Sequence, residues 1–118
     1  MKRKRIFLSI FIAVLALGAM GCPARKRIGD ITSDPGRYYD KEVTVAGRVV
    51  RSYGALGQGV YEIDDGTGRM WVFTEKYGVP SKDTYIGVTG KVMPGVTWGG
   101  RNYGNGMHET RRRTRERR

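Results

Sequence analysis

Few side chains in this sequence can act as nucleophile, base or metal ligand. There is one cysteine, Cys22, and one histidine, His108. His108 has no second His and no nearby Cys to share a metal ion. The adjacent carboxylates Asp64 and Asp65 are accounted for by a strand end and a turn. Ser52 and Ser81 lie in no recognisable nucleophile context, and neither a phosphate-cradling glycine loop nor a metal-ligand spacing occurs. These residues imply no catalytic centre, no metal and no cofactor. A lone cysteine cannot close an internal disulfide, so Cys22 needs another explanation.

The residues before it supply one. Lys2-Arg3-Lys4-Arg5 precede an apolar run over residues 6–20, and Gly21 and Cys22 follow. This is the order of an n-region, an h-region and a small-residue cleavage zone. About 15 apolar residues fall short of the roughly 20 that a helix needs to cross a bilayer. Ala19-Met20-Gly21-Cys22 resembles the lipobox of exported bacterial lipoproteins, with Ala19 departing from the Leu usual there. The resemblance implies that residues 1–21 are a signal peptide and that Cys22 is acylated. The protein is then exported and held on the periplasmic or outer face of the envelope by a lipid anchor.

The chain carries a net charge of +11, unevenly distributed. Four basic residues belong to the signal, and Arg25, Lys26 and Arg27 to a tether over residues 22–27. Arg111, Arg112, Arg113, Arg115, Arg117 and Arg118 crowd the last eight positions. Residues 28–110 hold nine Lys and Arg against ten acids, so the body of the domain is close to neutral. The basic ends suit an anionic surface such as lipid headgroups or an acidic partner. A run like residues 111–118 usually reads as a disordered, solvated tail.

Between these ends the pattern has the period of strands. Val43, Val45, Gly47 and Val49 alternate with polar or small residues, and Gly47 suggests a bend or bulge in a coiled strand. A glycine-rich loop is expected over residues 52–59 and a second strand from Val60 to about Asp64. Asp65-Gly66-Thr67-Gly68 is a hairpin turn, followed by a third strand over 69–74. A connection over 75–83, a fourth strand over 84–93, a long loop over 94–106 and a short final strand near 107–111 complete one all-β domain over residues 28–110.

Ile31, Pro35, Tyr39 and Lys41, leading into V-x-V-x-G-x-V, then D-G-T-G, then V-x-G-x-V around Gly90, resemble the OB-fold nucleic-acid-binding family. That family includes the anticodon-binding domains of aminoacyl-tRNA synthetases. The resemblance implies a five-stranded Greek-key barrel. It also implies a binding surface on the outer face of the second and third strands, flanked by the loops after the first and fourth. Carried over by position, that surface holds Arg48, Arg51, Tyr53, Tyr61, Arg69, Trp71, Phe73, Trp98, Arg101 and Tyr103. Aromatic rings offer stacking platforms and arginines can track a phosphate backbone. On the third strand Met70 and Val72 alternate with Trp71 and Phe73, and the pattern does not decide which pair faces inward. The expected function is a non-enzymatic, membrane-anchored binding module for a ligand or protein partner. The alternatives are single-stranded nucleic-acid binding and a structural or assembly role in an envelope complex.

Overall fold

A computed structural model describes residues 25–114. Residues 1–24, on which the signal-peptide and Cys22 readings fall, and Arg115, Arg117 and Arg118 lie outside the described residues. The elements are helix α1 (Ile28–Ser33), a 3-10 turn (Pro35–Arg37) and strands β1 (Glu42–Ala55), β2 (Gln58–Asp64), β3 (Arg69–Thr74), β4 (Tyr85–Met93), β5 (Thr97–Trp98), β6 (Arg101–Asn102) and β7 (Gly106–Thr114).

Five strands close a barrel in the order β1-β2-β3-β7-β4, with β1 also paired to β4. The chain is thus an all-β, five-stranded Greek-key barrel. Strand β1 serves two partners. Its first half pairs with β4 up to Arg48, and its second half pairs with β2 from Arg48 onward. At the hand-over a Cβ on Gly47 would sit 2.6 Å from the carbonyl oxygen of Asp64, so only glycine lets the strands approach there. The bulge itself falls slightly later, between Val49 and Arg51.

The inward alternation fills the barrel with Val43, Val45, Val49, Tyr61, Ile63, Met70, Val72, Ile86, Val88, Val92 and Met107. This decides β3: Met70 and Val72 are core, whereas Trp71 and Phe73 face outward and are half-buried. One barrel end is closed by Ile28 and Ile31 of α1. Six residues cannot hold a helix by themselves. Here the β2–β3 turn caps it, because Asp65 Oδ2 accepts from the Ile28 N–H at 2.9 Å and Thr67 Oγ1 accepts from the Gly29 N–H at 2.9 Å.

Three expectations from the sequence are corrected. Residues 52–59 are not a loop: β1 runs on to Ala55 and turns through Leu56 and Gly57, both at positive φ, directly into β2. The loop over 94–106 contains the β5–β6 ribbon. The basic tail does not begin at Arg111, since β7 continues to Thr114 against β4. A bulge skips Thr110 between the pairs Gly90–Glu109 and Thr89–Arg111, which brings residues three apart onto one face. Arg112 is thereby turned inward onto Glu109, while Arg111 and Arg113 remain exposed.

The candidate binding face

The outer wall of β1, β2 and β3 is ordered in rows by strand register. One row runs Arg51–Glu62–Trp71, the next Tyr53–Val60–Phe73–His108, and a third Arg48–Asp64–Arg69. The chain after the β5–β6 ribbon lays Tyr103 over this wall. Tyr53 and Trp71 are stacked with centroids 6.0 Å apart, Trp71 and Tyr103 lie 4.5 Å apart, and Tyr53 and Tyr103 are stacked at 6.5 Å. The Arg101 guanidinium sits 5.5 Å from the centre of the Tyr103 ring. With Arg51, Glu62 and Asn102 these groups line a groove of about 250 Å³. A wider, more open cleft of about 700 Å³ adjoins it across Arg51 and Tyr53, walled by residues 79–82. The smaller groove has the richer chemistry, with three rings, two arginines, a carboxylate and an amide.

Charge alternates along the wall. Arg51 Nε lies 3.7 Å from Glu62 Oε1, Arg69 Nε 3.1 Å from Asp64 Oδ2, and His108 Nε2 3.2 Å from Glu75 Oε1. Glu62 Oε1 is shielded from solvent and accepts no hydrogen bond among the described residues. Buried acceptors are rarely left so, and this one lies at a groove lined by polar groups.

Of the ten residues the resemblance pointed to, five meet in the groove: Arg51, Tyr53, Trp71, Arg101 and Tyr103. Arg48 and Arg69 flank Asp64 on the outer row, and Phe73 packs against His108 at 5.2 Å. Trp98 is half-buried in the ribbon opposite Arg101 and forms no stack with the three rings. Tyr61 is a correction. It shares its strand face with Ile63, is fully buried, and donates its hydroxyl hydrogen to Glu109 inside the barrel. Glu62 and Asn102 were missed. Glu62 was legible in principle, since it alternates with Tyr61 and Ile63 and must share the face of its register partner Trp71.

At the barrel end away from α1, Glu109 collects donors from Tyr61, Thr74 at 2.7 Å and Arg112 at 3.0 and 3.1 Å. Arg112 Nη2 also donates to the Gly78 carbonyl at 2.6 Å, tying the β3–β4 connection to the barrel. Burial pushes the Tyr61 hydroxyl far above the ordinary phenol range, and the Glu109 charge adds to it, so Tyr61 stays a neutral donor. Arg112, expected at an anionic surface, is committed to this buried cluster.

No protein-family model matches the sequence, and no curated protein does. Solved structures match by shape. A protein described as an aspartyl-tRNA synthetase of Leishmania major superposes with a TM-score of 0.57 at 14% identity, over 80% of this chain and 21% of that one. The aspartyl-tRNA synthetase of Entamoeba histolytica gives 0.52 at 15% identity, over 66% and 19%. The OBody AM3L09, solved bound to hen egg-white lysozyme, gives 0.51 at 18% identity, over 66% and 84%. The fold is an OB-fold. At these identities the likeness concerns the fold alone, and the chain spans about a fifth of either synthetase. What the OB barrel presents on its β1–β2–β3 wall is therefore read from its own residues.

Proposed function

We propose that this protein is a non-enzymatic binding module, held at the cell envelope through an acylated Cys22, which grips a protein partner in the groove of Tyr53, Trp71 and Tyr103. The carrying observation is the composition of that groove. Trp, Tyr and Arg are the residues that dominate binding energy at protein interfaces, and here three such rings and two arginines line one groove. A polypeptide can supply apolar surface to the rings and carboxylates to Arg51 and Arg101. The alternating charge of the wall suits such a mixed partner better than a phosphate chain, which would run past Glu62 and Asp64. The OBody bound to lysozyme illustrates a protein ligand on a barrel of this fold.

Single-stranded nucleic acid is the second reading, favoured by the near-parallel rings of Tyr53 and Tyr103 and by Arg101 beside them. One experiment separates the two. A photo-crosslinking residue replaces Tyr103 in cells, alone and with Trp71→Ala, and the purified protein is titrated with labelled single-stranded DNA at low and high salt. A single stoichiometric protein adduct that disappears with Trp71→Ala supports the protein reading. DNA binding that Trp71→Ala abolishes, without a protein adduct, replaces it with the second. Mass spectrometry of the mature N-terminus tests the anchor, and an unmodified Cys22 overturns it.

A further inference from the structure

We infer that the outer wall formed by β4, the first half of β1 and the end of β7 is a docking face for an anionic lipid surface, turned away from the aromatic groove. The inference rests on the anchored reading of Cys22 for its orientation. The face itself rests on strand register. Arg25 bridges to Thr44, and the Lys26 N–H donates to the Thr44 carbonyl at 2.8 Å. Thr44 pairs with Thr89, their hydroxyls 2.8 Å apart, and Thr89 pairs with Arg111. The first described residue of the tether and the basic end of the last strand therefore share one row. The neighbouring row is Ala46–Gly87–Arg113.

Between the arginines the wall is bare. Thr44, Ala46, Gly87 and Thr89 are small, and a Cβ on Gly87 would meet only the Arg113 carbonyl oxygen, at 3.9 Å. Arg25 borders this flat strip on one side, and exposed Arg111 and Arg113 on the other. One row beyond, Arg48 pairs with Tyr85, a residue 44% exposed. The opposing charges are Glu42, 3.8 Å from Arg111, and Asp40, 4.0 Å from Lys91. They pair with Arg111 and Lys91 and leave Arg25 and Arg113 without a carboxylate partner among the described residues, so the strip is net positive. The bulge at Thr110 contributes directly by turning Arg112 inward while Arg111 and Arg113 point out.

Cys22 precedes Arg25 by three residues, which span at most about 10 Å. A lipid on Cys22 thus holds this wall, rather than a distant part of the barrel, at the headgroups. In the circular strand order, β2 and β3 are separated from β4 by β1 on one side and β7 on the other. With the basic strip on the membrane, the groove opens away from the lipid toward a soluble or neighbouring partner.

Arginine footprinting tests the face. The mature protein, purified from membranes, is placed on vesicles of zwitterionic lipid alone or with a substantial fraction of phosphatidylglycerol, labelled with phenylglyoxal and mapped by mass spectrometry. On anionic vesicles at low salt, Arg25, Arg111 and Arg113 should label at least about fivefold more slowly, as one basic residue gains roughly that factor at an anionic surface. Arg51 and Arg101 should label as before, and Arg111→Glu with Arg113→Glu should restore the rate at Arg25. Equal protection on zwitterionic vesicles, or protection of Arg51 and Arg101 instead, overturns the inference. So does single-stranded DNA protecting the same arginines at lower concentration than the vesicles, since the occupant is then nucleic acid. If Cys22 proves unmodified, the anchor fails but the footprint still judges the face, with vesicles added to the free protein.

Discussion

Glu109 has essentially no solvent around it, and its two oxygens take hydrogen bonds from Tyr61, Thr74 and Arg112. The Arg112 guanidinium lies between two rings, 5.4 Å from Tyr61 and 5.5 Å from Tyr77. Removing one charge from such a pair strands the other, at about 3–5 kcal/mol, whereas replacing both by apolar groups of similar size is often neutral. Glu109→Gln should therefore lower the unfolding free energy by about 3 kcal/mol in urea melts, and Glu109→Leu with Arg112→Met, made together with Tyr61→Phe and Thr74→Val so that no buried hydroxyl loses its acceptor, should recover much of that loss. If the fourfold variant is as unstable as the single, the stranded charge is not the cause. Tyr61→Phe removes one donor to Glu109 and should cost about 1–2 kcal/mol. The inward position of Tyr61 was legible in its parity with Ile63. The reason a polar tip can be buried there was not, because Glu109 lies 48 residues further along the chain.

At the scale of elements, the turn between β2 and β3 does more than reverse the chain. Desolvation acts to raise the Asp65 carboxyl, but hydrogen bonds from the Ile28 N–H and from Thr67 outweigh it, and its pKa lies below the ordinary carboxylate value. A carboxyl depressed in the folded state contributes stability that is fully present above its unfolded value, near 4, and is lost as pH falls through the folded value. Asp65→Asn should thus be less stable than the native chain at neutral pH, and the gap should close as pH falls below about 4. Urea midpoints at neutral and acidic pH read this directly, and a gap independent of pH would refute it. A Cβ on Gly29 would meet the Thr67 carbonyl oxygen at 2.6 Å, so Gly29→Ala should also detach α1 and lower the melting temperature by several degrees. The D-G-T-G turn was plain in the sequence, since Gly66 takes the positive φ expected of it. The cap was not, because it joins residues 37 and 38 positions apart. The length of β7 was hidden for a related reason: an arginine run looks solvated, and only the open edge of β4 up to Ile86 shows that it is paired.

Across the whole molecule, two walls of one barrel carry different electrostatics, and this makes their activities separable. On the groove wall Arg51 and Arg69 are paired with Glu62 and Asp64 and Arg101 sits over the Tyr103 ring, so contacts there largely exchange one set of partners for another and should depend weakly on salt. On the β4 wall Arg111 is paired with Glu42, but Arg25 and Arg113 have no carboxylate partner among the described residues, and binding to an anionic surface should weaken steeply as salt screens it. Trp71 is half-buried on the outside of the sheet, so Trp71→Ala should spare the fold yet cost the partner about 2 kcal/mol, or some 30-fold in affinity, as truncation of a central aromatic anchor does. Arg111→Glu with Arg113→Glu should leave that affinity unchanged in solution while reducing partition onto anionic vesicles. Distant sites without shared neighbours contribute additively. The combined variant should therefore show the sum of the two losses, each with its own salt dependence, in paired titrations against partner and vesicles. A loss of partner affinity in the arginine variant would mean that one surface spans both walls, and the division of labour proposed for them would fall.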